Sequence, residues 1–320
     1  MTPGAAIVPR ATAIVPTMGT SPWLGRCLEA LREAGGPELE IVLVAQGRGG
    51  LAAAESASRL ADRTLRFERN AGFAVANNRA LAATGGELVA TVNDDAVVDA
   101  GWYRSLVAAL DAEPQAAAAQ GVNLRLGDPA VADGCGLEWN PHWQAVQIAH
   151  GQAPPPPSEP VREVFGVSAT AALYRRSALA EVALAGEAFD VRLVSYYEDV
   201  DLACRLRAAG YGALLVPAAR AEHAGSASGR RLALGGWRLV YGNRYLVLAR
   251  LLGRAFGAEL PRAWRRDARD LGAALARGDG RRAAGVVAGW GRAARLLPRY
   301  RHRGAPVVPL DGLEPGSLRW

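Results

Sequence analysis

Three acidic residues, Glu198, Asp199 and Asp201, lie within four positions of the chain and directly follow a pair of tyrosines. A helical pattern continues from there to Gly210, and acidic residues at the start of a helix commonly balance its dipole. That role accounts for one or two of the acids, but not well for Glu198 and Asp199 together. A carboxylate at such an edge can point into a cleft, where a neighbouring acid raises its pKa and suits it to proton abstraction. The segment is therefore a candidate catalytic base, with a well-capped helix as the alternative interpretation.

A second polar site consists of Asn93, Asp94 and Asp95, which follow an apolar, β-branched run at 87–92 that predicts a buried strand. Open α/β sheets bind their ligands at the carboxyl ends of strands. Adjacent carboxylates repel each other unless a cation or a proton lies between them, and oxygen ligands suit Mg²⁺ or Mn²⁺, which bridge proteins to diphosphate oxygens. The site therefore indicates a divalent cation, with a polar turn before the next helix as the alternative.

His223 follows the apolar strand predicted at 213–217 and is a candidate partner for the acids at 94 and 95. A lone histidine is more often a structural hydrogen-bonding group than a ligand. The four histidines lack the close spacing of a zinc site, and no Cys-x-x-Cys motif occurs. We therefore expect no dedicated zinc centre.

The chain has no lysine, because all 37 of its basic residues are arginine. This composition excludes a Walker-type phosphate loop, a Schiff-base enzyme and a Ser-x-x-Lys nucleophile. Three isolated cysteines indicate a reducing compartment. We find no signal-peptide pattern and no apolar run near the roughly 20 residues that cross a bilayer, so we expect a cytoplasmic protein.

Positive charge is concentrated in residues 230–303, where 18 arginines face four acidic residues, a net charge of +14. The remainder of the chain has a net charge of −8. This asymmetry suggests an anionic partner, such as a membrane surface, a phosphorylated substrate or nucleic acid. The aromatic residues of this segment lie among apolar ones and favour a core, so we do not expect nucleic-acid binding.

Strands and helices alternate four times between residues 12 and 92, which predicts a mostly parallel sheet covered by helices on both faces. The pattern loosens after about residue 114, with loops and short strands over 123–152 and a stiff proline-rich connector at 153–158. Amphipathic surface helices follow over 232–252, 261–276 and 281–297. We divide the chain into a domain over 1–228, an arginine-rich helical region over 229–303 and a tail over 304–320.

Five segments in order over about residues 12–226 resemble the inverting nucleotide-sugar glycosyltransferases of family 2, which have the GT-A fold. The similarity is closest to the bacterial rhamnosyltransferase-like branch. The matching segments are residues 13–17, 70–78, 92–95, 197–211 and 223. Each segment alone is a weak signal, but five in the family's order make a specific one.

The resemblance assigns a role to each matching residue. It implies that Asp199 is the catalytic base, that Glu198 is its neighbour on the acceptor side, and that Asp95 and His223 bind Mn²⁺ or Mg²⁺. The implied nucleotide-sugar contacts are Pro16, Thr17, Gln46, Asn70, Gly72, Asn77, Asn78, Asn93 and Asp94. One position departs from the family, because Ala45 stands where an aspartate usually contacts the base, and only Gln46 beside it can replace that contact.

The resemblance thus implies transfer of a sugar, with rhamnose as one candidate, from a dTDP- or UDP-linked donor to a glycan or glycolipid hydroxyl. The family context is cell-envelope polysaccharide biosynthesis. A single displacement needs a cation, a base and a pocket, and it inverts the anomeric carbon. Residues 230–303 then either lie against the inner face of the plasma membrane, beside a lipid-linked acceptor, or pack on the catalytic domain.

Two other functions compete with this one. Gly47, Gly49 and Ala52 match the Gly-x-Gly-x-x-Ala pattern of NAD(P)-dependent oxidoreductases, although that pattern normally follows the first strand and here follows the second. Ala45 is compatible with a catalytically degenerate transferase fold that only binds its ligands. The retained acids at 95 and 199 oppose that second alternative.

Overall fold

A ten-stranded sheet dominates the computed structural model, which describes residues 9–224, 234–301 and 304–307. The strands are β1 (Ala11–Thr17), β2 (Leu39–Gln46), β3 (Arg63–Phe67), β4 (Leu88–Val92), β5 (Ala96–Val98), β6 (Ala116–Arg125), β7 (Asp128–Gly134), β8 (Leu137–Trp139), β9 (Ala145–Gln147), β10 (Arg162–Val164), β11 (Ala171–Arg175) and β12 (Gly212–His223). Strands β8 and β9 form a separate pair. The helices are α1 (Leu24–Gly35), α2 (Gly47–Ala57), α3 (Phe73–Ala83), α4 (Trp102–Ala112), α5 (Arg176–Glu181), α6 (Glu198–Ala208), α7 (Leu234–Leu252), α8 (Phe256–Ala276) and α9 (Gly280–Leu296).

Most strands of the large sheet run in one direction. The main path has the order β10-β12-β6-β11-β4-β1-β2-β3, and only β10 and β11 run against the other six. The prediction of a mostly parallel sheet is confirmed. Because parallel strands end at the same edge, the carboxyl ends of β1, β4 and β12 all lie where ligands bind in such folds.

Both faces of the sheet are covered by helices, as predicted. Ala13 and Val15 of β1 pack in a core with α1, α2 and α4, whereas Ile14 between them packs in a second core with α3, α5 and α6. Successive side chains of a strand point to opposite faces. A strand buried on both faces therefore reads as a continuous apolar run, as residues 13–15 do.

Residues 116–125 form the regular strand β6, although the alternating sequence pattern loosens after about residue 114. Its sequence begins with four alanines, which favour strands weakly, but nine of its ten residues are buried. A Cβ atom on Gly121 would approach the Ala219 carbonyl oxygen to 2.3 Å, so a glycine lets β6 and β12 come close. The packing of the centre of the sheet, rather than local propensity, makes this segment a strand.

Strand β12 continues six residues beyond its predicted end at Pro217. A register shift between Leu215 and Arg220 surrounds that proline, and a bulge is one of the few places where a sheet tolerates the missing N–H group. Beyond the bulge, His223 pairs with Ala96 of β5 and Arg125 of β6. The extension carries His223 to the carboxyl edge of the sheet.

Helix α7 is not the amphipathic surface helix that was predicted. Its residues from Tyr241 to Ala249 are all buried, and it packs with α6 and α9 around a third core. Helices α8 and α9 do have one buried and one exposed face, as predicted. The C-terminal helices therefore pack directly on the helix that begins with Glu198.

Some of the arginines that were expected in solvent lie inside this helical region. Arg244 is 2% exposed and its guanidinium pairs at 2.8 Å with Asp267, which is fully buried. The Tyr245 hydroxyl and the Trp290 ring nitrogen donate to the same carboxylate at 2.6 and 3.1 Å. A buried carboxylate needs such partners, because its desolvation would otherwise destabilise the fold.

No helix among the described residues is long and apolar enough to cross a membrane. The expected tail over 304–320 falls outside the described residues apart from 304–307, as do residues 229–233 at the start of the arginine-rich region.

Candidate active site

One cavity of about 600 Å³ lies at the carboxyl edge of the sheet and is lined by Asn93 of the second polar site and by the acids that begin α6. Asn93 and His223 reach it from the ends of β4 and β12, and Glu198 and Asp199 reach it from the start of α6. Asn93 and His223 are 130 positions apart in the chain, yet their side chains approach to 3.5 Å. The fold thus brings the predicted donor-side and acceptor-side groups to one space.

Asp94 and Thr17 meet at the ends of β4 and β1. The Thr17 hydroxyl donates a hydrogen bond of 2.5 Å to Asp94 Oδ2, and the Ser21 hydroxyl donates to the Asp94 backbone oxygen at 3.0 Å. Burial raises the pKa of Asp94, and the bond from Thr17 opposes this shift because it favours the ionised carboxylate. The two residues form one polar unit on the side where the nucleotide was predicted.

His223 lies between two carboxylates. Its Nε2 atom is 3.1 Å from Asp95 Oδ1, and its Nδ1 atom is 2.8 Å from Asp133 Oδ2. Burial disfavours the charged ring, but the hydrogen bonds and charges of Asp133 and Asp95 outweigh it and raise the pKa of His223 to about 9. The side chains at 95 and 223 therefore converge, as the sequence interpretation requires.

The residues around Asp95 fit a divalent cation that is also bound by substrate oxygens. Among the described residues, no group of three or more His, Cys, Asp or Glu side chains could hold a metal ion on its own. Mg²⁺ and its relatives are commonly held by one or two protein carboxylates plus substrate phosphates, so Asp95 with His223 Nε2 is a sufficient protein contribution. Asp133 occupies the other ring nitrogen, as carboxylates beside metal-binding histidines do.

Asp133 is a site residue that the sequence interpretation missed. It lies near the end of β7, in a region where the sequence predicts only loops and short strands. No motif surrounds it, and its role depends on a contact with a residue 90 positions away. Only the pairing of β7 with β6 places it beside His223.

Glu198 and Asp199 are the first two residues of α6. Burial, together with the neighbouring Asp199, raises the pKa of Glu198 to about 8, and its Oε2 atom has no hydrogen-bond partner among the described residues. Burial also raises the pKa of Asp199, while backbone N–H groups oppose the shift. Those of Val200 and Ala169 donate to its two oxygens at 2.8 and 3.3 Å. Burial thus favours a proton shared by the pair, and the backbone N–H groups orient the carboxylate of Asp199.

The turn before α6 has an unusual backbone. Val194, Tyr196 and Tyr197 have φ angles of 68°, 66° and 69°, a region that costs bulky residues roughly 1–3 kcal/mol each. Gly72 packs against this turn, since a Cβ atom there would approach the Val194 carbonyl oxygen to 2.8 Å. The predicted nucleotide contact Gly72 therefore has a packing role at the start of α3.

Gln46 and Asn70 shape the loop that follows β3. Gln46 Oε1 accepts a hydrogen bond from the Ala71 backbone N–H at 2.9 Å, and Asn70 Oδ1 accepts one from that of Gly72 at 2.9 Å. Asn70 Nδ2 is 3.0 Å from the sulfur of Met18, just after β1. Both amides thus hold this loop at the carboxyl edge, close to Thr17.

Asn77 and Asn78 use their amide groups within the fold. Asn78 donates to the Phe189 carbonyl oxygen at 2.7 Å and accepts from the Phe189 backbone N–H at 2.9 Å. Asn77 donates to the Phe73 carbonyl oxygen at 2.9 Å within α3. Pro16 lies in β1, half-buried. The part of these three residues in nucleotide binding stays a prediction, and the two asparagines already have structural roles.

The glycines of the dinucleotide-binding alternative form the first turn of α2. A Cβ atom on Gly49 would approach the Met18 carbonyl oxygen to 2.5 Å, and one on Gly50 would approach that of Thr17 to 2.6 Å. The chain after β1 therefore lies against the start of this helix, where a dinucleotide fold would bind pyrophosphate. This packing argues against the oxidoreductase interpretation.

The sequence of residues 12–183 matches the family model of glycosyl transferase family 2. No curated protein matches the chain significantly.

Two solved glycosyltransferase structures resemble the fold. The structure of GalNAc-T7 with UDP, GalNAc and Mn²⁺ superposes with a TM-score of 0.58 at 14% identity, covering 78% of this chain and 49% of that one. The mannosyltransferase PcManGT from Pyrobaculum calidifontis, in complex with GDP-Man and Mn²⁺, has a TM-score of 0.55 at 22% identity and covers 90% of this chain and 88% of its own. The chain spans about half of GalNAc-T7. These similarities show the GT-A fold.

Because the pKa of Glu198 is raised in the folded protein, stability should decrease as the pH rises. The folded protein retains this proton up to about pH 8, whereas the unfolded chain releases it near the ordinary value of 4.5, so stability falls as the pH rises between the two. We expect the free energy of unfolding of Glu198→Gln, measured in urea relative to the wild type, to be higher at pH 8 than at pH 5. The expected difference is roughly 1–3 kcal/mol. The exposed Glu138→Gln is the matched control and should show no such gain. An equal effect of Glu198→Gln at both pH values would contradict the burial of its charge.

Proposed function

The chain belongs to glycosyl transferase family 2, and from this we propose that it is an inverting enzyme that transfers a sugar from a nucleotide-diphosphate sugar to an acceptor hydroxyl. One observation supports this proposal most strongly. A single cavity is lined by the acids that begin α6 and by His223, whose ring contacts Asp95. The donor diphosphate and the attacking hydroxyl can therefore meet there in line.

On the donor side, Asp95 and His223 would hold Mn²⁺ or Mg²⁺. When bound, the cation neutralises the negative charge that grows on the leaving diphosphate. Asp133 orients the ring of His223 through Nδ1, so that Nε2 faces Asp95. Thr17 keeps Asp94 in place for the ribose or the diphosphate.

On the acceptor side, Asp199 takes the proton of the attacking hydroxyl. The oxygen forms a bond to the anomeric carbon while the bond from that carbon to the diphosphate oxygen breaks, and its electron pair leaves with the nucleoside diphosphate. Burial and the neighbouring Asp199 raise the pKa of Glu198, so Glu198 would carry the proton of the pair, leave the negative charge on Asp199 and donate a hydrogen bond to the acceptor. One displacement inverts the configuration at the anomeric carbon.

We propose a UDP- or dTDP-linked donor, with rhamnose as one candidate sugar, and a glycan or glycolipid acceptor of the cell envelope. The solved relatives carry UDP with GalNAc in one case and GDP-Man in the other, which supports a nucleotide-sugar donor but not a particular one. Ala45 is fully buried, and the oxygen of Gln46 already binds the Ala71 backbone. The base must therefore be recognised by groups other than the usual aspartate.

Two substitutions separate donor binding from transfer. In thermal-shift measurements with UDP- and dTDP-sugars, we expect stabilisation of the wild type with Mn²⁺ but not with EDTA, and Asp95→Ala should lose this difference. Asp199→Asn should keep it but release nucleoside diphosphate roughly 100-fold more slowly, since general-base catalysis contributes about that much or more. The exposed Asp111→Asn serves as control.

Full turnover by Asp199→Asn would disprove its role as the base. Metal-dependent binding without any transfer by the wild type would favour the degenerate binding protein.

We also propose that helices α8 and α9 contact an anionic membrane surface from the cytoplasmic side. Leu260, Trp264, Leu271 and Leu275 recur at helical spacing on α8, and Trp264 and Leu275 are 51% and 63% exposed. Arg262, Arg265 and Arg269 of the same helix are also exposed, on another face. A helix that exposes both an apolar stripe and several arginines suits the headgroup region of a bilayer, where a lipid-linked acceptor would lie.

Flotation with vesicles tests this contact. We expect the protein to float with vesicles that contain anionic lipid at low salt and to remain behind with purely zwitterionic ones. The double variant Trp264→Ser and Leu275→Ser should lose flotation. Val161→Ser, at a position that is 45% exposed outside these helices, should not. Equal recovery of the double variant and the wild type would contradict the membrane proposal.

A further inference from the structure

The side chain of Asn243 joins the C-terminal helices to the turn that precedes the two acids. Asn243 lies in the middle of α7 and is fully buried. Its Nδ2 atom lies 2.8 Å from the carbonyl oxygen of Leu193, 3.1 Å from that of Ser195 and 2.9 Å from that of Tyr196. One amide nitrogen thus contacts three carbonyl oxygens of a single turn.

The other atom of this amide is also fixed. Asn243 Oδ1 accepts a hydrogen bond of 3.0 Å from Arg292 Nε on α9. Because a guanidinium can only donate, this bond determines which way the amide is turned and directs its NH₂ group at the turn. Donors to buried carbonyls stabilise the fold, so this arrangement supports the turn. The Leu193 carbonyl oxygen also accepts from the Ser195 backbone N–H at 2.8 Å.

The turn is held from its other side by α3. The Ala74 backbone N–H donates to the Val194 carbonyl oxygen at 3.2 Å, and that of Phe73 donates to the Ser195 hydroxyl at 3.3 Å. Three residues of the turn have positive φ angles, so the backbone conformation requires support from its surroundings. Asn243 supplies that support from outside residues 12–183, which carry the family match.

We propose that Asn243 is a positioning residue for the transfer reaction. Its amide fixes the turn over 193–197 and thereby sets where the carboxylates of Glu198 and Asp199 lie in the cavity. This inference rests on the proposed function, in which Asp199 is the base. It makes helices α7 and α9 part of the catalytic unit rather than an appendage.

A separate ion pair also joins α6 to α7. Arg250 of α7 pairs with Asp201 of α6 and, at 3.3 Å, with Asp190. Asp201 is also bound by Arg205 at 2.9 Å within its own helix. Loss of the Asn243 donors should therefore misplace the turn without undocking the helix, and a misplaced base reduces kcat more than donor binding.

A graded series of variants tests the proposal. Asn243→Asp keeps the shape and the acceptor for Arg292 but removes both N–H donors, and Asn243→Ser keeps one donor. We expect kcat to fall roughly 10- to 100-fold in Asn243→Asp and by less in Asn243→Ser, with the donor KM and the Mn²⁺-dependent thermal shift by UDP unchanged. Hydrogen exchange should rise in a peptide covering residues 193–197 in the same order.

The control is Tyr241→Phe on the same helix. The Tyr241 hydroxyl is buried and donates to Asp270 at 3.1 Å, so its loss weakens α7 without removing a donor from the turn. We expect this variant to lose thermal stability but to keep its kcat.

Four outcomes can be distinguished. An unchanged kcat in Asn243→Asp, while Asp199→Asn is inactive, would overturn the positioning role alone. Equal losses in Asn243→Asp and Tyr241→Phe would mean that general destabilisation explains the effect, which also overturns it. If Asn243→Asp does not fold, Asn243→Ser must still show a lower kcat than Tyr241→Phe. Full activity of Asp199→Asn would instead refute the proposed function.

Discussion

The contact between Asp95 and His223 joins the ends of two strands that are distant in the sequence. Strands β4 and β12 run in the same direction. The short strand β5 begins directly after Asp95 and pairs antiparallel with the end of β12. In the free protein, the carboxylates at both ring nitrogens raise the pKa of His223 and favour a proton on Nε2. A divalent cation at Asp95 would displace that proton, because only the neutral ring binds a metal through Nε2. The proton and the cation would thus share one position beside Asp95.

The acceptor side of the cavity depends on a second constraint, the strained turn before α6. Burial of two adjacent acids and three positive φ angles both destabilise the folded protein locally. The packing of α7 and α9 on α6, the Arg250 ion pairs and the Asn243 amide offset that cost. Charged groups in the helical region thus stabilise the site, in addition to the arginines that remain exposed on α8.

The sequence predicted the parts of the site that lie at the ends of local elements. Asn93 to Asp95 follow an apolar strand and Glu198 begins a helix that ends just before Gly210, and both patterns are visible within about ten residues. The length of β12 was not visible, because Pro217 is a stop signal except at a bulge. Strand β6 was missed because alanine favours strands weakly, so only its central place in the sheet makes it one.

Asp133 and Asn243 could not be found from the sequence for a different reason. Each acts through contacts with residues distant in the chain, and neither stands in a recognisable motif. Helix α7 was predicted as an amphipathic surface helix, whereas its Arg244 is buried against Asp267. Buried ion pairs depend on the tertiary structure and leave little trace in composition.

In the proposed mechanism, the side chains at 95 and 223 bind one divalent cation together with a nucleoside diphosphate. Pulsed electron paramagnetic resonance of Mn²⁺ bound in the presence of UDP tests it directly, because a coordinated imidazole nitrogen couples to the metal spin. We predict a nitrogen coupling in the wild type that is lost in His223→Ala and retained in His150→Ala, a change at another histidine of the same cavity. A coupling that persists in His223→Ala, or that is absent from the wild type when Mn²⁺ is bound, would contradict the account.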